Sequence, residues 1–176
     1  MSNILVLPMI VPIITAALLV FLHDHIKLQR IVSLITMIFV SGVSVVLLQL
    51  IQTEGILRLD FSGWLPPFGI LFVADSFSVL LVLTSSIVTA ICLIYAFSTI
   101  GEAREKMYFY PFVLFLIAGV NGSFLTGDIF NLFVCFEVML LASYALIALG
   151  GEKFQLRESL KYVLINVVAS WMFLVA

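Results

Sequence analysis

The charges in this chain are confined to short intervals separated by long runs that contain none. No Asp, Glu, Lys or Arg occurs in residues 1–23, 31–53, 76–101, 107–127 or 162–176, and between 129 and 151 Glu137 stands alone. A helix needs about 20 apolar residues to cross a bilayer core about 30 Å thick. Five of the six runs reach that length, and the sixth is cut off at the C-terminus. Spans are expected near 4–22, 31–51, 76–99, 108–126, 129–149 and from 159 onward. This is an all-α, polytopic membrane helix bundle of about six transmembrane helices, the last one truncated, with residues 1–176 forming a single transmembrane domain. Composition agrees: 10% of residues are charged, against about 25% in an ordinary soluble domain. So few charges cannot cover a water-exposed surface, which argues against a soluble enzyme or a nucleic-acid binder. A secretory signal peptide is also a poor reading, because nothing basic precedes the first run and five more follow it.

Lys and Arg in short loops collect on the cytoplasmic side of a membrane. Lys27 and Arg30, then Arg104 and Lys106, then Lys153, Arg157 and Lys161 fall after spans one, three and five, and Arg58 alone falls on the other side. The N-terminus is therefore expected outside. The long external connection, 52–75, contains two short stretches, Leu57 to Phe61 and Ile70 to Val73, on either side of a Gly-Trp-Leu-Pro-Pro break. It reads as a small β-hairpin lying over the helices with Trp64 at the interface, the alternative being an irregular loop. Pro8 and Pro12 are expected in the first turns of span one and Pro111 in the first turn of span four, where a missing N–H costs least.

Most polar residues have simple structural readings. Cys92 and Cys135 are far apart and lack metal or redox spacing, so they read as small apolar residues. His23-Asp24-His25 has metal-like composition but no further ligands nearby, and reads as a polar helix end. No cofactor or metal site is expected. Asp75 and Asp128 open spans three and five, where a carboxylate caps free N–H groups. Glu137 has no such place. It lies nine residues after Asp128, about 13.5 Å along a helix, near the bilayer centre. There an acidic residue costs up to about 3 kcal/mol, and a functional role is the default hypothesis. Burial disfavours a charged carboxylate and a cationic neighbour favours it, so a glutamate balanced between the two can take up and release protons. No Lys, Arg or His lies inside a span, and Lys161, at the cytoplasmic start of span six, comes nearest.

The segment from Thr126 to Ile147, with Phe136 before Glu137 and Ser143-Tyr144 after it, resembles the fifth helix of the antiporter-like membrane subunits. These subunits are shared by respiratory complex I, membrane-bound hydrogenases and the multisubunit Mrp-type sodium/proton antiporters. Asp75-Ser76-Phe77-Ser78 with Tyr95 is similar to the family's N-terminal region, and Glu158-Ser159-Leu160-Lys161-Tyr162 followed by Asn166-Val167-Val168-Ala169-Ser170 resembles the start of its sixth helix. The wording of 126–134 and 160–170 is most similar to the Mrp branch. The resemblance implies a bacterial cell-membrane component of a hetero-oligomeric antiporter that exchanges cytoplasmic Na+ for external H+. It also implies that Glu137 is the proton-relay glutamate, working opposite a lysine on the family's helix seven, and that Lys161 is a lysine near the cytoplasmic entrance; a snorkelling interfacial lysine is the plain alternative for Lys161. The chain is expected to be the N-terminal portion of a larger subunit. Two other functions remain open: a proton-pumping subunit of complex I or a hydrogenase, and a non-transporting structural piece in which Glu137 is only a hydrogen-bond partner.

Overall fold

The computed structural model describes residues 2–22, 24–60 and 69–175. A short 3-10 turn, Ser2–Val6, leads into α1 (Leu7–Phe21), followed by α2 (Ile26–Glu54), a hairpin of β1 (Leu57–Asp60) and β2 (Leu71–Ala74), and α3 (Ser76–Thr99). A one-turn α4 (Glu102–Glu105) precedes α5 (Phe109–Leu125), α6 (Ile129–Ala148) and α7 (Lys153–Val175). Five segments, the first of them Asn3–Phe21 made of the 3-10 turn and α1 together, are long and apolar enough to cross a bilayer, and α5 is a shorter apolar helix. All six expected spans are therefore helices, in the expected order. In lipid a continuous helix is required, because no water is present to satisfy a broken backbone.

Two boundaries differ from expectation. Helix α2 starts at Ile26 rather than 31, and α7 at Lys153 rather than 159. Lys27, Arg30, Lys153 and Arg157 thus belong to helices and not to loops. Long basic side chains are tolerated at helix ends because they can reach out of the hydrocarbon, so a charge-free run marks the hydrocarbon-facing part of a helix and not its full length. The two ends of the bundle are distinct. Arg30 meets Glu105 at 2.7 Å and Arg104 lies 3.9 Å from Glu152, so the three basic segments share one end.

The hairpin forms at the other end. β1 and β2 pair antiparallel, with Leu57 opposite Ala74 and Asp60 opposite Leu71. Phe61 and Trp64, and the interfacial place expected for Trp64, lie outside the described residues. Phe72 forms a bridge to Thr126, and the Gly127 N–H donates to the Leu71 carbonyl at 2.8 Å, so the hairpin is fastened to the turn between α5 and α6.

The bundle is apolar outside as well as inside, unlike a soluble protein. A core of residues such as Leu19, Met37, Leu47 and Leu114 also encloses Ser33, Ser44, Ser86 and Asn121, whereas Ile31, Ile35, Ile38, Ile91 and Ile94 face outward. Lipid provides no hydrophobic drive for helices to associate, so interhelical hydrogen bonds and close packing carry more of the cohesion. Here polar contacts close a ring around four helices. Thr36 Oγ1 lies 3.4 Å from Thr15 Oγ1 as a polar contact (α2 to α1), and Ser41 and Ser86 share a bond of 2.8 Å (α2 to α3). Ser85 Oγ donates to Asn121 Oδ1 (3.2 Å, α3 to α5), and Asn121 Nδ2 donates to the Pro8 carbonyl (2.9 Å, α5 to α1).

That last bond has a specific cause. Because α1 starts at Leu7, Pro12 lies inside the helix and not in its first turn as expected. Its missing N–H leaves the carbonyl four residues back, that of Pro8, without an intrahelical partner. Asn121 supplies the substitute. Asn121→Leu is expected to cost about 1–2 kcal/mol, and much less in a Pro12→Ala background, where an alanine N–H recovers the Pro8 carbonyl. Melting curves of the four proteins in detergent check this; equal costs in both backgrounds would refute the coupling.

Candidate functional site

The site is built on α6, whose outer end is held from several directions. Asp128 is its N-cap: Oδ1 accepts from the Phe130 N–H at 3.1 Å and Oδ2 from the Asn131 N–H at 3.2 Å. Asn131 Nδ2 in turn donates to Thr126 Oγ1 at 2.9 Å, beside the hairpin contact. Asp75 caps α3 as expected. Its Oδ1 accepts from the Ser78 N–H at 2.7 Å, and its own N–H donates to Ser78 Oγ at 3.1 Å. The Ser78 bonds favour the charged carboxylate and hold Asp75 below the usual aspartate range.

Two glycines set the distance between α5 and α6. A methyl group on Gly119 would lie 2.8 Å from both the Cys135 carbonyl oxygen and the Met139 nitrogen, and one on Gly122 would lie 2.7 Å from Cys135 Sγ. Small residues allow this backbone approach, which lipid-embedded helices use in place of hydrophobic drive. Cys135 is buried in the seam, in keeping with its reading as a small apolar residue. Gly119→Ala is expected to cost about 2 kcal/mol, because the clash is with backbone that cannot turn aside. A melting shift smaller than that of Gly42→Ala, where nothing lies within 4 Å of the added carbon, would refute the close approach.

With Cys135 facing α5, the opposite face of α6 meets α7. Phe133 stacks on Phe173 with ring centres 6.1 Å apart and planes 7° from parallel, and Tyr144 meets Tyr162 edge-on at 5.6 Å. Glu137 lies between these two aromatic contacts, four residues after Phe133 and seven before Tyr144, on one helical face. It is the ninth residue of α6, about 12 Å from the outer end and about 16 Å from the inner end. The side chain is half-buried and opens into a cleft of about 180 Å³ lined by Phe133, Val167, Ser170, Trp171 and Leu174. Among the described residues nothing forms a hydrogen bond or ion pair with its carboxylate.

Lys161 is elsewhere. It is exposed, and its Nζ donates to Glu158 Oε1 at 2.7 Å on the same helix. It lies nine residues before Ser170, about 13.5 Å along α7, so it does not line the cleft. The position at the basic end of the bundle fits both an approach to the cleft and an interfacial lysine.

One cluster was not visible in the sequence. Glu105 is fully buried at the basic end; Oε2 accepts from Arg30 Nη2 at 2.7 Å and Oε1 from the Tyr110 hydroxyl at 2.8 Å. The Arg30 guanidinium also lies over the Phe97 ring at 5.6 Å. The partners come from α2, α3, α4 and α5, and Arg30 and Glu105 are 75 residues apart. No local pattern identifies such a contact. It ties the connection between α3 and α5 to the start of α2, and it is separate from the Glu137 cleft.

No protein-family model matches the chain. The chain is 53% identical over 175 residues to the D subunit of the Na(+)/H(+) antiporter of Alkalihalophilus pseudofirmus, covering 99% of this chain and 36% of that protein. It is 46% identical over 175 residues to the D subunit of the Na(+)/H(+) antiporter of Bacillus subtilis, with the same coverages. It therefore spans about a third of the length of these relatives. Among solved structures it is similar to the Mrp complex from Dietzia sp. DQ12-45-1b, with a TM-score of 0.88 and 31% identity over 99% of this chain and 33% of that one. A membrane-bound sulfane sulfur reductase, an archaeal respiratory membrane complex, shares the fold at a TM-score of 0.85 and 24% identity, covering 99% of this chain and 36% of that one. Relatives and fold together agree with the charge-free spans: over the third of their length that it spans, the chain belongs with the D subunits of the Mrp branch of the antiporter-like membrane subunits, and it is a multi-pass cell-membrane protein.

Proposed function

We propose that the chain is part of a subunit of a multisubunit cation/proton antiporter that exchanges cytoplasmic Na+ for external H+, with Glu137 in the intramembrane proton path. The observation that carries this reading is an acidic side chain near the middle of α6, without a hydrogen-bond or ion-pair partner among the described residues, opening into a cleft between α6 and α7. A structural glutamate in lipid would be expected to bond to its neighbours, as buried Glu105 does. A carboxylate left open to a cleft can bind a proton from one side and release it to another. Lys161 is assigned the cytoplasmic approach, where its pairing with Glu158 places one basic and one acidic group at the entrance. The cationic group that sets the proton affinity of Glu137 is the helix-seven lysine that the resemblance implies, outside residues 1–176, and these residues act as one membrane unit beside the other subunits of the complex.

The relatives named as Na(+)/H(+) antiporter subunits support the antiport reading over the respiratory one, since the likeness to the sulfur reductase concerns fold alone. The test is reconstitution of the complete complex in sealed vesicles with a sodium gradient and no electron donor. Proton movement driven by sodium alone is expected. Proton movement that requires electron transfer would replace this reading with the redox-pump alternative.

A further inference from the structure

Most helical hydroxyls in the bundle bond back to their own backbone. Thr36, Ser44, Thr89 and Ser143, for example, donate to carbonyls three or four residues earlier at 2.7 to 2.8 Å. This is the usual way to satisfy Ser and Thr in lipid, where no water is available. Ser170 is an exception: half-buried on α7, it forms no hydrogen bond among the described residues. Its side chain lines the same cleft as Glu137, which likewise has no such bond there. Two unsatisfied polar groups on facing helices thus share one small space.

A volume of about 180 Å³ has room for about six waters at about 30 Å³ each. A water in such a place needs two to four polar partners. The Glu137 carboxylate provides two acceptor oxygens, and the Ser170 hydroxyl provides a donor and an acceptor. We propose that Ser170 is a positioning residue for Glu137: its hydroxyl, directly or through cleft water, donates to the charged carboxylate and orients it toward α7. This rests on the proposed role of Glu137 as the proton-binding group. Of the other titratable groups nearby, Tyr144 on α6 feels the Glu137 charge and meets the Tyr162 ring of α7 edge-on, Cys135 faces α5, and Lys161, the last basic residue of α7, is tied to Glu158. On α5 the ionisable side chain is Tyr110, which bonds to Glu105.

The test uses the complete complex. Removing a donor to a carboxylate disfavours its charged form, so Ser170→Ala is expected to shift the pH profile of sodium-driven exchange upward by about one unit, the equivalent of one charge-assisted hydrogen bond. Ser170→Thr, which keeps the hydroxyl, restores the wild-type profile. Infrared difference spectra provide a readout independent of transport. The carboxylic C=O band that disappears in Glu137→Gln should move to higher frequency in Ser170→Ala and return in Ser170→Thr. An unshifted band, with Glu137→Gln still inactive, overturns the role of Ser170 and leaves that of Glu137 standing. A complex with no Glu137-dependent band and with full exchange in Glu137→Gln overturns both.

Discussion

Glu137→Gln is expected to reduce sodium-dependent proton movement by about 100-fold or more, the range over which a positioned acid–base group acts, without loss of the assembled complex. Glutamine has nearly the same shape, remains polar and cannot exchange a proton. Insertion of α6 becomes slightly easier, since an acidic residue at the bilayer centre costs up to about 3 kcal/mol. The packing around it also remains: Phe133 against Phe173 and Tyr144 against Tyr162 do not involve the carboxylate. The measurement is proton movement into everted vesicles on addition of sodium, with complex abundance read from the same membranes. Wild-type exchange in the variant would remove both the antiporter and the proton-pump readings and leave the structural one. Loss of the complex would show that Glu137 holds the bundle together.

Arg30→Met is expected to be the most damaging change to stability. Glu105 has no exposed side-chain surface, and the substitution leaves it with Tyr110 as its remaining bonded partner. Removing one member of a buried ion pair costs about 3–5 kcal/mol. The Arg30 side chain is 30% exposed, which screens part of the interaction and points to the low end, about 3 kcal/mol. For a domain of this size that is a fall in Tm of about 6–12 °C. The double variant Arg30→Met with Glu105→Met should recover most of the loss, because the cost lies in the orphaned charge and not in the missing attraction. A single variant that melts within 1–2 °C of wild type, on the order of measurement error, would show that water reaches Glu105. Exchange in the double variant should be preserved, since the cluster stands apart from the Glu137 cleft.

What could be read from the sequence depended on the range of each interaction. The six helices were legible because lipid imposes a length and forbids charge, and both constraints act locally. The caps at Asp75 and Asp128 were legible for a similar reason, since a cap and its N–H groups lie within three residues. The hairpin was readable from its two short stretches around a proline break. Helix ends were misplaced at 26 and 153 because Lys and Arg tolerate a helical backbone at the interface. Pro12 was misjudged because what lets the helix accept an interior proline, a donor for the Pro8 carbonyl, comes from Asn121 far along the chain. The glycine seam, the Arg30–Glu105–Tyr110 cluster and the ring through Asn121 were not visible at all, since each joins residues distant in the chain. At the candidate site, Glu137 could be found from one sequence by its isolation, whereas Ser170 could not. A serine in a membrane helix is unremarkable until its usual backbone bond is found to be missing.

The bond between Asn121 and the Pro8 carbonyl also bears on how the protein is made. Its partners are 113 residues apart, and synthesis at about 5–20 residues per second separates them by about 6–23 s. During that interval α1 is in the membrane with a backbone acceptor whose native donor has not yet been translated. The insertion machinery, or water retained beside α1, must serve that carbonyl until α5 arrives. Closure of the four-helix ring is thus a late assembly event, and α1 cannot reach its final packing before α5 has been made.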